Sequence, residues 1–171
     1  LGANTTGASN TAVGSGALDA NTTGSNLTAV GKDALGSHTS GTGVTGLGFQ
    51  ALKNHTTGHY NTGVGYNALY SATTTQSCTG IGMNALQDVT TGHYNTAVGK
   101  DAGFYTTTGQ DNTAIGYKAL EDNTTANNNV AVGSFTLDDN TTGASNTALG
   151  KSALGTNTTG AENTAVGQSA L

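Results

Sequence analysis

The chain contains no proline, no tryptophan, one cysteine and one methionine. Only 9% of its 171 residues are charged and only 5% are aromatic. A single cysteine excludes an internal disulfide framework, and Cys78 is expected as a small buried residue rather than a reactive thiol. Lysine and arginine number 5 against 10 acids, for a net charge of −5. That leaves too few clustered cations to neutralise phosphates or to hold an anionic bilayer, so neither nucleic acid nor a membrane surface is expected as a partner. No run of about 18 apolar residues occurs, so no transmembrane helix is expected. A phosphate-binding Gly-rich loop, a nucleophile elbow and a zinc-binding HExxH are all missing. The expectation is therefore a protein that is not an enzyme and carries no cofactor or metal. No leader peptide is recognisable, and the chain opens on Leu1 rather than methionine.

What is abundant is glycine, threonine and asparagine, and their order is strict. Glycine recurs every seventeen residues at Gly14, Gly31, Gly48, Gly65, Gly82, Gly99, Gly116, Gly133, Gly150 and Gly167. A second comb runs Leu1, Leu18, Leu35, Leu52, Leu69, Leu86, Leu120, Leu137, Leu154 and Leu171, broken only by Gly103. A fixed period over a whole chain points to a solenoid of stacked coils. Disorder, the usual reading of a Thr/Asn/Gly-rich composition, does not explain an aliphatic residue held at one place in every copy.

Counted from the leucine comb, the consensus is L-x-x-N-T-T-G-x-x-N-T-A-V-G-x-x-A. Its N-T-A-V segment reads as a β-strand with alternating faces. Position 13 is always aliphatic: Val13, Val30, Leu47, Val64, Ile81, Val98, Ile115, Val132, Leu149 and Val166. This column is expected to face a core. The opposite face carries Ala or Gly at position 12 and Gly at position 14, and looks covered too. All fifteen charged residues fall at positions 2, 3, 9, 15 or 16, never in the strand. A strand shielded on both faces implies a second layer, most economically the same strand from other copies in a trimer. The expected fold is all-β, a parallel β-solenoid of ten 17-residue coils. At ~4.8 Å per coil it would be about 48 Å long. Residues 1–171 read as one repeat domain, and its first and last units, being ordinary copies, suggest a segment of a longer fibre. The position-7 glycines are expected at turns needing positive φ.

At A-V-G-x-x-A, as in Asn95-Thr96-Ala97-Val98-Gly99-Lys100-Asp101-Ala102 and Asn163-Thr164-Ala165-Val166-Gly167-Gln168-Ser169-Ala170, the sequence resembles the head repeats of trimeric autotransporter adhesins. It is similar also to N-T-A-V-G-x-x-A-L arrays of phage tail fibres and microbial surface fibres. The resemblance covers all ten repeats and implies a trimeric β-roll on a cell or virion surface. The adhesin repeat is nearer fourteen residues, so the N-T-T-G corner is an addition.

Several residues invite a binding role. Phe49, Tyr60, Tyr66, Tyr70, Tyr94, Phe104, Tyr105 and Tyr117 occupy positions that carry charge elsewhere, and form a candidate contact surface for glycan, a cell-surface receptor or a neighbouring fibre. Sequons at Asn4, Asn21, Asn123, Asn140 and Asn157, with Asn26 and Asn54, offer glycosylation. The competing and preferred reading of the position-4 asparagines is a turn or ladder residue. His38 and His55, one coil apart, invite a metal, but no carboxylate column backs them. The leading functional reading is a structural or adhesive extracellular fibre. An ice-binding solenoid using the Thr5 to Thr158 column is the alternative, and a tailspike-type glycosidase built on scattered corner acids ranks last.

Overall fold

A computed structural model describes all of residues 1–171. The chain is all-β, without a helix. One three-residue strand forms per repeat: β1 (Thr11–Val13), β2 (Thr28–Val30), β3 (Thr45–Leu47), β4 (Thr62–Val64), β5 (Thr79–Ile81), β6 (Thr96–Val98), β7 (Thr113–Ile115), β8 (Val130–Val132), β9 (Thr147–Leu149) and β10 (Thr164–Val166). They make one ten-stranded parallel sheet in sequence order. Each residue pairs with its counterpart seventeen positions on, as Thr96 with Thr113, Ala97 with Ala114 and Val98 with Ile115. The parallel β-solenoid with a 17-residue coil is therefore the fold.

The sheet is the smaller part of the stacking. Of 111 backbone hydrogen bonds, 93 lie outside the regular strand pairing. Many of them join a corner to the same corner of the next coil, as Thr22 N to Thr39 O and Leu35 N to Ala51 O. The whole circumference is laddered, which is how short strands separated by long turns leave few unpaired backbone groups.

Both combs have a backbone cause. The position-14 glycines lie at φ between 124° and 136°. A Cβ on Gly99 would sit 2.5 Å from the carbonyl oxygen of Gly116. Glycine is required there for its conformation and for the close approach of coils. The comb leucines turn the chain in the left-handed region, at φ between 50° and 56° from Leu18 to Leu154, and bury their side chains. This is an unfavourable conformation for a bulky residue, offset here by complete burial. Gly103 adopts the same φ, 59°, without the side chain.

The core lies inside the coil. It is built from the comb leucines, the position-17 alanines and the position-12 alanines, including Ala29, Ala97, Ala114, Ala131 and Ala148. Asparagines complete it. Asn112, Asn129, Asn146 and Asn163 each donate their backbone N–H to the side-chain oxygen of the asparagine one coil before. The side-chain amides of Asn95, Asn112, Asn129 and Asn146 donate to a position-7 carbonyl of the following coil. Burying so many amides costs little because each is satisfied.

Two expectations are corrected. The column Val13, Val30, Leu47, Val64, Ile81, Val98, Ile115, Val132, Leu149 and Val166 does not enter the chain's own core. Six of its members, the four Leu/Ile residues with Val13 and Val166, are between 40% and 68% exposed. The others are half-buried. The interior of the coil is too narrow at the strand for a branched side chain. Ala97 has the comb leucine's neighbourhood on its side, and a Cβ at Gly63 would already lie 3.1 Å from Leu52. Strand alternation then sends position 13 outward. The second correction concerns position 7. Apart from Gly41, at φ 123°, these glycines have ordinary φ. Space demands them instead, since a Cβ on Gly143 would lie 2.6 Å from the side-chain oxygen of Asn140.

Candidate functional site

Three places concentrate side chains that could act: the outward sheet face with its two edges, a buried histidine pair, and an acidic corner.

The outward face presents Thr at position 11 and an aliphatic residue at position 13 in nine of ten coils, with Val130 in place of the threonine in the tenth. No charged residue interrupts it. Two residues after each strand, position 15 forms a column along the exit edge. There Phe49 stacks on Tyr66 with ring centroids 5.2 Å apart and planes 10° from parallel. Lys32 lies over the other face of this stack, 5.6 Å from the Phe49 centroid, and Lys100 lies 5.4 Å from the ring of Tyr117. Tyr117 meets Phe135 edge-on at 5.1 Å. Much of the ring surface in this column is thus turned to neighbouring coils. Two residues before the strand, Tyr60 and Tyr94 stand out at 63% and 53% exposure, each beside a histidine, His59 and His93.

The eight candidate aromatics therefore do not form one patch. Phe49, Tyr66 and Tyr117 line the exit edge, and Tyr60 and Tyr94 the entry edge. Tyr70, Phe104 and Tyr105 fall at positions 2 and 3, on another corner, where Phe104 and Tyr105 pack 4.5 Å apart.

His38 and His55 lie buried in the coil, where most other repeats carry the position-4 asparagine. Their rings stack at 5.0 Å and their Nδ1 atoms are 3.0 Å apart. Neighbouring bonds settle the protons. Cys78 N–H donates to Asn61 Oδ1 at 2.9 Å, so Asn61 Nδ2 is the donor to Thr75 O and to His55 Nε2. His55 accepts at Nε2 and donates from Nδ1. His38 accepts at Nδ1 and keeps its own proton on Nε2, which completes no hydrogen bond. Burial lowers both histidines to about 4, helped by the proximity of His59 to His38 and of His38 to His55. No group of three or more His, Cys, Asp or Glu side chains is arranged to hold a metal ion, around them or elsewhere. Cys78, buried beside this network, has its thiol pushed up to about 11 by burial, which keeps it protonated and unreactive near neutrality.

Glu121, Asp122, Asp138 and Asp139 share one outer corner of two successive coils. Lys118 bridges Glu121 at 2.8 Å. Asp138 is raised to about 6, by burial first and by the charge of Glu121 second. Asp122 is raised as well, for the same two reasons.

The sequons separate into two groups. Asn21, Asn123 and Asn140 are buried, and Asn157 is half-buried. Each donates to a glycine or alanine carbonyl of its own coil, as Asn140 Nδ2 to Gly143 O at 3.0 Å. Asn4, in the first coil, bonds Gly7 O in the same way. A glycan on any of them would displace this bond, which is the turn role. Asn26 is exposed and Asn54 half-buried. The Thr5 to Thr158 column is likewise tied down. From Thr5 to Thr141 every hydroxyl donates to the backbone carbonyl of the column's next threonine, as Thr73 to Thr90 O at 2.9 Å.

Sequence reasoning missed the inward asparagine ladder at position 10, although Asn in seven of the ten copies carried the signal. It also missed the hydrogen-bonded histidine pair, because tautomers follow from neighbours that only folding brings together. Comparison with family models, with curated proteins and with solved structures gave no match.

Proposed function

We propose that this chain is a stiff structural segment of an extracellular fibre, on a cell or virion surface, that associates with further copies of itself and displays variable corners. The observation that carries this reading is the unbroken in-register stack of ten coils whose conserved strand leaves an uncharged aliphatic face uncovered. Ladders on every side resist bending, and the charged and aromatic residues are gathered at positions 2, 3, 9, 15 and 16, outside the strand. A coaxial trimer and a face-to-face pair both cover the sheet face. Adhesion to a glycan or receptor would fall to the exposed edges, foremost Tyr60 and Tyr94.

Electron microscopy of the purified chain tests the rod. Particles about 48 Å long, the length of ten coils at ~4.8 Å, and thicker than one coil support it; compact globules count against it. Ice binding through the Thr5 to Thr158 column is the weaker reading, because those hydroxyl protons already serve the ladder. Thermal hysteresis at micromolar protein would revive it.

A further inference from the structure

We infer that a second copy of this chain covers the Thr/Val face, the two rods running in opposite directions about a two-fold axis that passes between β5 and β6. This rests on the self-associating reading above and adds the partner's orientation and register.

The face is large enough to need a partner. Ten coils by the five residues from position 11 to position 15 span about 48 Å by about 17 Å, on the order of 800 Å² per copy, the size of a standard stable interface. Contiguous exposed apolar patches of that size are uncommon on monomers. The strand columns within it carry no charge that a partner would have to desolvate.

The side chains of the face alternate with a period of two coils. From β3 onward, position 13 reads Leu47, Val64, Ile81, Val98, Ile115, Val132, Leu149, Val166. The larger residues are the exposed ones, while Val64, Val98 and Val132 are half-buried between them. Along the entry edge, position 9 reads Tyr60, Ser77, Tyr94, Asp111, out of phase with the first column. Such a surface has ridges on odd coils and hollows on even coils in one column, and the reverse in the other. Facing layers pack best when large residues meet small ones.

Symmetry then selects the arrangement. A coaxial trimer, or a pair of parallel rods, places like coils at one height, so that Ile81 meets Ile81. An antiparallel pair with its axis between β5 and β6 sets β5 against β6, β4 against β7, β3 against β8 and β2 against β9. Each Leu or Ile of one copy then meets a Val of the other: Ile81 with Val98, Ile115 with Val64, Leu47 with Val132 and Leu149 with Val30. Tyr94 falls opposite Ser77 in the same register. Parallel rods staggered by one coil would also interleave, but that contact does not close, whereas the two-fold does. The one like-charge approach is Lys32 with Lys151 at the solvated rim.

Single-cysteine variants decide it, made in a Cys78→Ser background. Sheets packed face to face lie about 10 Å apart, a gap that a short bis-maleimide spans. Val30→Cys alone should not cross-link to itself, because the two sites lie seven coils apart in the pair. Val30→Cys mixed with Leu149→Cys should give a covalent dimer, and the native mass should be twice 16.8 kDa. Ile81→Lys, which points outward, should keep the β-rich circular dichroism and yield monomers. A three-chain mass with Val30→Cys self-links would overturn the antiparallel pair and leave self-association standing. Monomers at the highest soluble concentration, without cross-links, would overturn both.

Discussion

A single methyl group separates alanine from glycine at position 14, and the stack has no room for it. The φ of Gly99, 136°, lies where side chains are strained, and the Gly116 carbonyl lies 2.5 Å from any Cβ placed there. Gly99→Ala should therefore cost about 3 kcal/mol or more in chemical denaturation. The histidine pair makes a prediction in pH. His38 and His55 titrate near 4 when folded and near 6.5 when unfolded, so between those values the unfolded chain binds more protons. Stability present above pH 6.5 should fall as pH drops toward 4, by several kcal/mol for the two residues at most. Asp138, raised to about 6 from 3.8, works in the opposite sense, because its folded form gains protons first, and Asp122, also raised, acts with it; both acids are untouched when the histidines are replaced. Replacing both histidines by asparagine, the usual residue at that position, should flatten the loss in acid melts. An unchanged acid profile would remove the pair as its cause.

At the scale of one coil, neighbouring substitutions compensate. Position 7 is wedged between the side chains at positions 4 and 10 of its own coil, as Gly7 is between Asn4 and Asn10. Where Thr75 replaces the glycine, those two partners shrink to Ala72 and Cys78, and all three are buried. Cys78→Asn alone should overfill this coil and destabilise it by about 1–3 kcal/mol. Adding Thr75→Gly should recover a good part of that, a coupling that a double-mutant cycle of melts would read. This covariation was open to sequence reasoning, as were the coil length, the stacking and the exclusion of charge from the strand. The sidedness was not. Val98 and Ala97 are both apolar and neither column admits charge, so composition makes each look buried. What decides between them is the inner width of the coil, set by comb leucines held at positive φ, and periodicity says nothing of that width. The candidate site was legible only in part for the same reason. Position 15 is marked by variability, but the stacking of Phe49 on Tyr66 depends on the spacing between coils.

For the whole molecule, one face of every strand packs into the chain's own core and the other is left exposed. The inner face holds the coil together through Ala97 and its equivalents, and the outer face, through Val98 and its equivalents, is the one we propose contributes to assembly. Neighbouring residues of β6 separate the two roles. Ala97→Asp would bury a carboxylate among comb leucines with no cation near, a cost large enough to unfold a marginally stable domain. Val98→Asp would place the same carboxylate at the surface of the coil. The most direct measurement is circular dichroism with native mass on these two variants. Ala97→Asp is predicted to lose its β signal and cooperative melt, and Val98→Asp to keep both while losing self-association. A folded Ala97→Asp beside an unfolded Val98→Asp would contradict the account, because it would put the valine column inside.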